Sequence, residues 1–307
     1  MPVTHLIGFS VTVADLAGTA AFYRDSLGLR IGPERVFLDP VSNTLYGLEP
    51  GTTVRAVDVL IGRQVVELVA FDPPGRSYPK KRESNDQWFQ HFALVSKNIA
   101  ETWERLNSGG LRDEITRDGP VELPPNTGSV TAFKFRDPEG HPLELISFPP
   151  GVGAAVWQTA RGQGILGCDH TAISVTDLER SLRFYTDLLG FRVAGRSLNH
   201  GPEQDRLDDL QGCEVDVVAL EPTTVATPHL ELLHYRRPPG RTSLSGFWAN
   251  DVASVRQFQK VDNLDALVEQ LIAEGTTFVS PGKVTLRSGR AAATIRDPDG
   301  HIIVLVE

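Results

Sequence analysis

FSVTVADLAGTAAFYRDSLGLRIG, residues 9–32, returns 162 residues later as TAISVTDLERSLRFYTDLLGFRVAG, residues 171–195. Further blocks repeat in the same order. Pro73-Pro74-Gly75-Arg76-Ser77 matches Pro238-Pro239-Gly240-Arg241-Thr242, and Asn85-Asp86 matches Asn250-Asp251, both at an offset of 165. FRDPEGHPLELI, from Phe135, matches IRDPDGHIIVLV, from Ile295, at an offset of 160. Such drift is what short loop insertions produce, and loops tolerate them at little cost. Ordered blocks of this kind mark an internal duplication. The expected division is 1–150 for the first copy, 151–164 for a linker and 165–307 for the second copy.

Each copy has the same local grammar. An alternating apolar strand runs to Val13 or Val175, and Asp15 or Asp177 then caps a helix. Leu16, Ala20, Tyr23 and Leu27 fall on one face of the first helix, and Leu178, Leu182, Tyr185 and Leu189 on one face of the second. This spacing predicts that both tyrosines are core residues. Gly28 and Gly190 stand where a left-handed residue ends a helix. VVELVAF (65–71) and HLELLHY (229–235) read as strands, and second strand–helix pairs open at His91 and near Arg256, with helices over 99–106 and 264–273. The chain therefore predicts four βαβββ units in an α+β fold.

Composition narrows the function. With 307 residues, each copy can bury a core of its own. No uncharged apolar run is long enough for a membrane helix, and the opening MPVTHLIGFSV lacks the pattern of a secretion signal. A net charge of −9 without a compensating basic run argues against nucleic acid. Two cysteines, Cys168 and Cys213, make no disulfide framework, and a cytoplasmic location is expected. No phosphate-binding glycine motif and no G-x-S-x-G elbow occurs.

The opening strand, V-x-D-L, a helix ending F-Y-x-D-x-L-G-[LF], and the closing R-D-P-[DE]-G-H strand resemble the vicinal oxygen chelate superfamily of glyoxalases, bleomycin-resistance proteins and extradiol dioxygenases. The resemblance implies two glyoxalase-like domains whose curved sheets form cups. It also implies metal ligands on the first and last strands of each unit. Carried over, those positions are Gly8, Glu67, His91 and Glu144 in the first copy, and His170, Glu231, Arg256 and Val304 in the second. The expected centre is a divalent metal (Mn, Ni, Zn or Fe(II)) on Glu67, His91 and Glu144, with Glu144 the candidate proton carrier. His170 and Glu231 form a secondary site, and Arg256 is expected to pair with Glu231 or to hold an anionic ligand group. The second copy is accordingly expected to be structural or ligand-holding.

The residues support this without the family. Glu67, His91 and Glu144 each lie within apolar strands, where a polar group needs a partner. Two carboxylates and one imidazole suit a divalent ion. His141 and His301 are read as serving their D-P-x-G turns. Three functions are compatible: a metal-dependent lyase or isomerase acting on a small oxygenated molecule, an extradiol-type dioxygenase, and a metal-free binding or resistance protein. The expected partner is a small molecule, in a chain that could pair as a homodimer.

Overall fold

In the computed structural model, the described residues are 3–88, 90–111, 113–241 and 246–307; Thr242, the end of the second PPGR[ST] block, lies outside them. Four units are present. Their opening strands are Val3–Thr12, Gln90–Ser96, Ile165–Ser174 and Val255–Val261. Their closing strands are Gln64–Asp72, Pro142–Ser147, His229–Arg237 and Ile302–Val306. In every unit the opening strand pairs in parallel with the closing strand of the same unit, and the remaining strands extend the sheet antiparallel.

The opening strands then pair antiparallel across the repeats. Unit 1 joins unit 4, and unit 2 joins unit 3. The result is two curved sheets of nine and eight strands, each with one unit from either copy. This corrects the expectation of one cup per repeat. Residues 151–164 separate the copies in sequence, but neither sheet is confined to one side of them. The free edge of an opening strand must be covered, and strand periodicity does not say which neighbour covers it.

Local structure follows the expected capping. Asp15 and Asp177 accept from Gly18 and Arg180 backbone N–H groups at 3.0 Å, and Gly28 and Gly190 are left-handed, with φ of 69° and 74°. The second helix, Leu178–Arg183, continues as a π turn through Leu188. Tyr23 and Tyr185 are fully buried and donate to Asp137 and Asp297 at 3.3 and 3.0 Å. Of the two turn histidines, the His141 ring bonds within its own turn, whereas the bond of the His301 ring runs to another unit. His141 reaches Asp137 at 2.9 Å and the Val252 carbonyl at 2.8 Å, and His301 reaches the Ser174 carbonyl at 2.9 Å.

Each PPGR segment clasps the Asn-Asp block of the other repeat. Arg76 forks onto Asp251, and Arg241 onto Asp86. Their glycines allow close approach: a Cβ on Gly240 would lie 1.6 Å from the Asn85 carbonyl oxygen. Among the described residues, no helix is long and apolar enough to cross a membrane.

Candidate metal centre

A bulge sets the site. Between Cys168 and Thr171 the third opening strand carries one residue more than its partner. A bulge of this kind lets neighbouring side chains turn to one side, and both Asp169 and His170 reach into the cup. On the parallel neighbour, His229 lies beside His170, and Glu231 beside Ala172. From the other unit, His91 faces Ala172, and Glu144 lies beside Ala93.

Four side chains therefore converge. His91 Nε2 lies 3.0 Å from Glu144 Oε2, and His170 Nε2 lies 3.3 Å from the same oxygen and 3.6 Å from Glu231 Oε2. One donor atom each from His91, Glu144 and His170 falls within 4.8 Å of the others. His229 stands beside them, its Nε2 3.5 Å from Glu231 Oε1. They line a cavity of about 500 Å³ together with Lys134, Arg196, Asn126 and Tyr235.

This grouping corrects the sequence expectation. His91 and Glu144 are together, but their companions are His170 and Glu231 of the other copy rather than Glu67. The His170–Glu231 pair lines the same cavity as His91 and Glu144. Glu67 lies in the opposite cup, where its Oε1 accepts from Arg35 at 2.9 Å, and Arg35 also holds Asp58 at 2.6 Å.

Arg256 is not beside Glu231 either. It is fully buried in the Glu67 cup, opposite Ser10 on the neighbouring strand. It donates to Ser10, Thr12, Ser254 and the Ala249 carbonyl. The rings of Tyr46 and Phe71 lie 5.3 and 5.8 Å away. With its donors turned to the protein, it does not line the smaller cavity of that cup, about 270 Å³ beside Tyr46 and Glu67. The candidate ligand positions divide between cups and not between copies. Gly8 and Val304 complete the second cup's four equivalent positions, and Arg256 puts a fixed cation where its counterpart has an imidazole.

Electrostatics separate the cups further. Burial pushes the Glu144 carboxyl up, but His170, His91 and Lys134 outweigh it and hold it well below the usual range. Burial likewise opposes the Glu231 charge, yet His170 and His229 bring its pKa down to about 2. Burial lowers His91, and in His170 the carboxylates of Glu231, Asp169 and Glu144 overcome burial and raise it. In Glu67 burial wins over Arg35 and Arg256, and the carboxyl is raised. The first cup thus concentrates ionised carboxylates around imidazole nitrogens, which is a donor set for a cation.

Sequence reasoning missed Asp169, Lys134 and Trp157, and placed His229 on the strand face of Glu231 without giving it a role. Lys134 lies across the ladder from Glu144 and its Nζ bonds Asp208 at 2.6 Å. Asp169 could have been noticed as an acidic neighbour of a ligand position, but strand alternation placed it on the opposite face.

The Glyoxalase/Bleomycin resistance protein/Dioxygenase superfamily matches residues 4–145 and 167–305, and the chain belongs to this family. A lactoylglutathione lyase of Arabidopsis thaliana is 28% identical over 183 residues, covering 59% of this chain and 53% of that protein. The chain thus spans about half the length of the first curated relatives it matches. A lactoylglutathione lyase of Oryza sativa subsp. japonica is 22% identical over 303 residues, 96% of this chain and 86% of that protein. A biphenyl-2,3-diol 1,2-dioxygenase of Paraburkholderia xenovorans is 27% identical over 122 residues, 36% of this chain and 39% of that one. Glyoxalase I from Zea mays superposes with a TM-score of 0.63 at 20% identity, over 99% of this chain and 92% of that chain, a likeness of fold.

Proposed function

We propose that the cup of units 2 and 3 holds one divalent metal ion through His91, Glu144, His170 and Glu231, and that the protein is a glyoxalase-type lyase or isomerase. Its substrate would be a small oxygenated organic molecule. The observation carrying this reading is the convergence of His91, Glu144 and His170, drawn from both repeats, on one buried point, with Glu231 3.6 Å from His170. When bound, such an ion acts as a Lewis acid on substrate oxygens. The curated relatives that are lactoylglutathione lyases make a thioester of that kind the first substrate class to test.

The chain's own residues divide the remaining work. The Glu231 side chain is 20% exposed and the Glu144 side chain 7%. Glu231 is therefore better placed than Glu144 to exchange a proton with a substrate in the cavity, and His229, 3.5 Å from it, can receive or return that proton. Lys134 and the two histidines hold Glu144 ionised. Two carboxylates beside two imidazoles give more anionic charge than the His-His-carboxylate set of non-haem iron oxygenases, which favours non-redox chemistry over ring cleavage.

The test is metal titration of the metal-stripped protein with Mn, Ni, Zn and Fe(II), followed by a lactoylglutathione lyase assay on each loaded form. Binding of one ion per chain is expected, with a large loss in Glu231→Ala and none in Glu67→Ala. No binding tighter than about 1 mM, roughly −4 kcal/mol, would leave the metal-free binding protein as the reading.

A further inference from the structure

Trp157 belongs to the segment between the repeats, on the short helix Ala155–Thr159. Its indole is buried, seated on Gly167, where a Cβ would come within 2.7 Å of the ring. From there its Nε1–H donates to Asp169 Oδ1. The other Asp169 oxygen lies 3.1 Å from His170 Nδ1. Thr227 Oγ1 holds the Asp169 carbonyl at 2.9 Å, securing the bulge from its backbone side. Asp169 is thus occupied on both oxygens, with His229 Nδ1 a further 3.9 Å from Oδ2, and it holds the Nδ1 side of His170 while Nε2 faces Glu144 and Glu231. At the equivalent bulge of the other cup the corresponding residue is Ile7, beside Gly8. The device is present in the cup that has His170 and absent from the one that has Gly8 in its place.

We infer that the inter-repeat segment is part of the metal centre: Trp157 orients Asp169, and Asp169 fixes the His170 tautomer with its proton on Nδ1, so that the Nε2 lone pair points into the cup. This rests on the metal reading above. An ionised carboxylate accepts only and an indole N–H donates only, so the polarity of the chain is set from the Trp157 end. Ligand histidines held this way are oriented by their outer partner, and its loss typically weakens metal binding ten- to hundredfold.

The logic makes a specific demand on Asp169→Asn. Trp157 requires the amide oxygen, so the amide NH2 must face His170 Nδ1. That NH2 donates, so the His170 proton moves to Nε2 and blocks the ligand position. In the double variant Trp157→Phe/Asp169→Asn the indole donor is gone, the amide can turn over, and Nδ1–H regains an acceptor.

The experiment measures Zn and Co(II) affinity of wild type, Trp157→Phe, Asp169→Asn and the double variant. Asp169→Asn is expected to lose roughly ten- to hundredfold, Trp157→Phe far less, and the double variant to bind tighter than Asp169→Asn alone. Wild-type affinity in Asp169→Asn, or no recovery in the double variant, overturns the inference. If the wild type binds no metal, the functional reading fails separately. The tautomer is then read by 15N NMR of the apo-protein at a pH where the ring is neutral. An Nδ1–H in wild type and Nε2–H in Asp169→Asn supports the relay, and the same tautomer in both refutes it.

Discussion

Replacing Arg256 tests whether the second cup is held by a structural cation. Its side chain is fully buried, its donors reach three hydroxyls and a carbonyl, and two aromatic rings cover it. Each hydrogen bond from a charged donor contributes about 1.5–3 kcal/mol, but relief of the cation's desolvation offsets much of this. Truncation to alanine also leaves a cavity costing about 2–5 kcal/mol. The net expectation for Arg256→Ala is a loss of about 3–5 kcal/mol, from the cavity and from the buried hydroxyls and carbonyl left without their donor. At roughly 2 °C per kcal/mol in a chain this long, thermal unfolding should move down by roughly 6–10 °C. Arg256→Met keeps most of the packing volume and should lose about 1–2 kcal/mol. Calorimetry of the metal-free protein gives both values. A shift below about 2 °C for Arg256→Ala would refute the structural role, and a parallel loss of metal binding would refute the independence of the cups.

Glu67→Gln tests the same cup by pH. Because burial raises the Glu67 pKa, its folded-state stability is fully present below the unfolded carboxyl value and is lost as pH rises through the folded value. Unfolding curves should therefore show Glu67→Gln gaining on wild type at pH 7 relative to pH 4, and an equal difference at both would sink the assignment. Gly240→Ala places a methyl 1.6 Å from the Asn85 carbonyl oxygen and must open the clasp. A loss of about 2–4 kcal/mol, in the range of severe packing strain, is expected by denaturant unfolding, whereas an unchanged midpoint would mean the clasp yields freely.

The units were legible because their signals are local: helix caps at Asp15 and Asp177, left-handed Gly28 and Gly190, and apolar stripes ending on Tyr23 and Tyr185. All four residues of the candidate centre were also identified. Their grouping was not legible by the same means, since it depends on which opening strand covers the free edge of another. One clue was available. Gly8 and Val304 cannot serve as side-chain ligands, and both belong to units 1 and 4, so the two depleted units could have been matched with each other. Asp169 was hidden for a different reason, since strict alternation turns it away from His170 and a bulge restores it.

The pairing of the units also orders the fold along the chain. Units 2 and 3 are consecutive, so the cup with the four candidate ligands is assembled from one continuous stretch, 90–237. The Arg256 cup must join Val3–Thr12 to Val255–Val261 across most of the chain. Closing that long loop carries the larger entropy cost, and contacts of such separation form late. During synthesis the cup of units 2 and 3 can be complete while the first unit still waits for its partner, leaving the edge of Val3–Thr12 uncovered until Val255–Val261 emerges. Once that edge is closed, the buried Arg256 spans it, donating to Ser10 and Thr12.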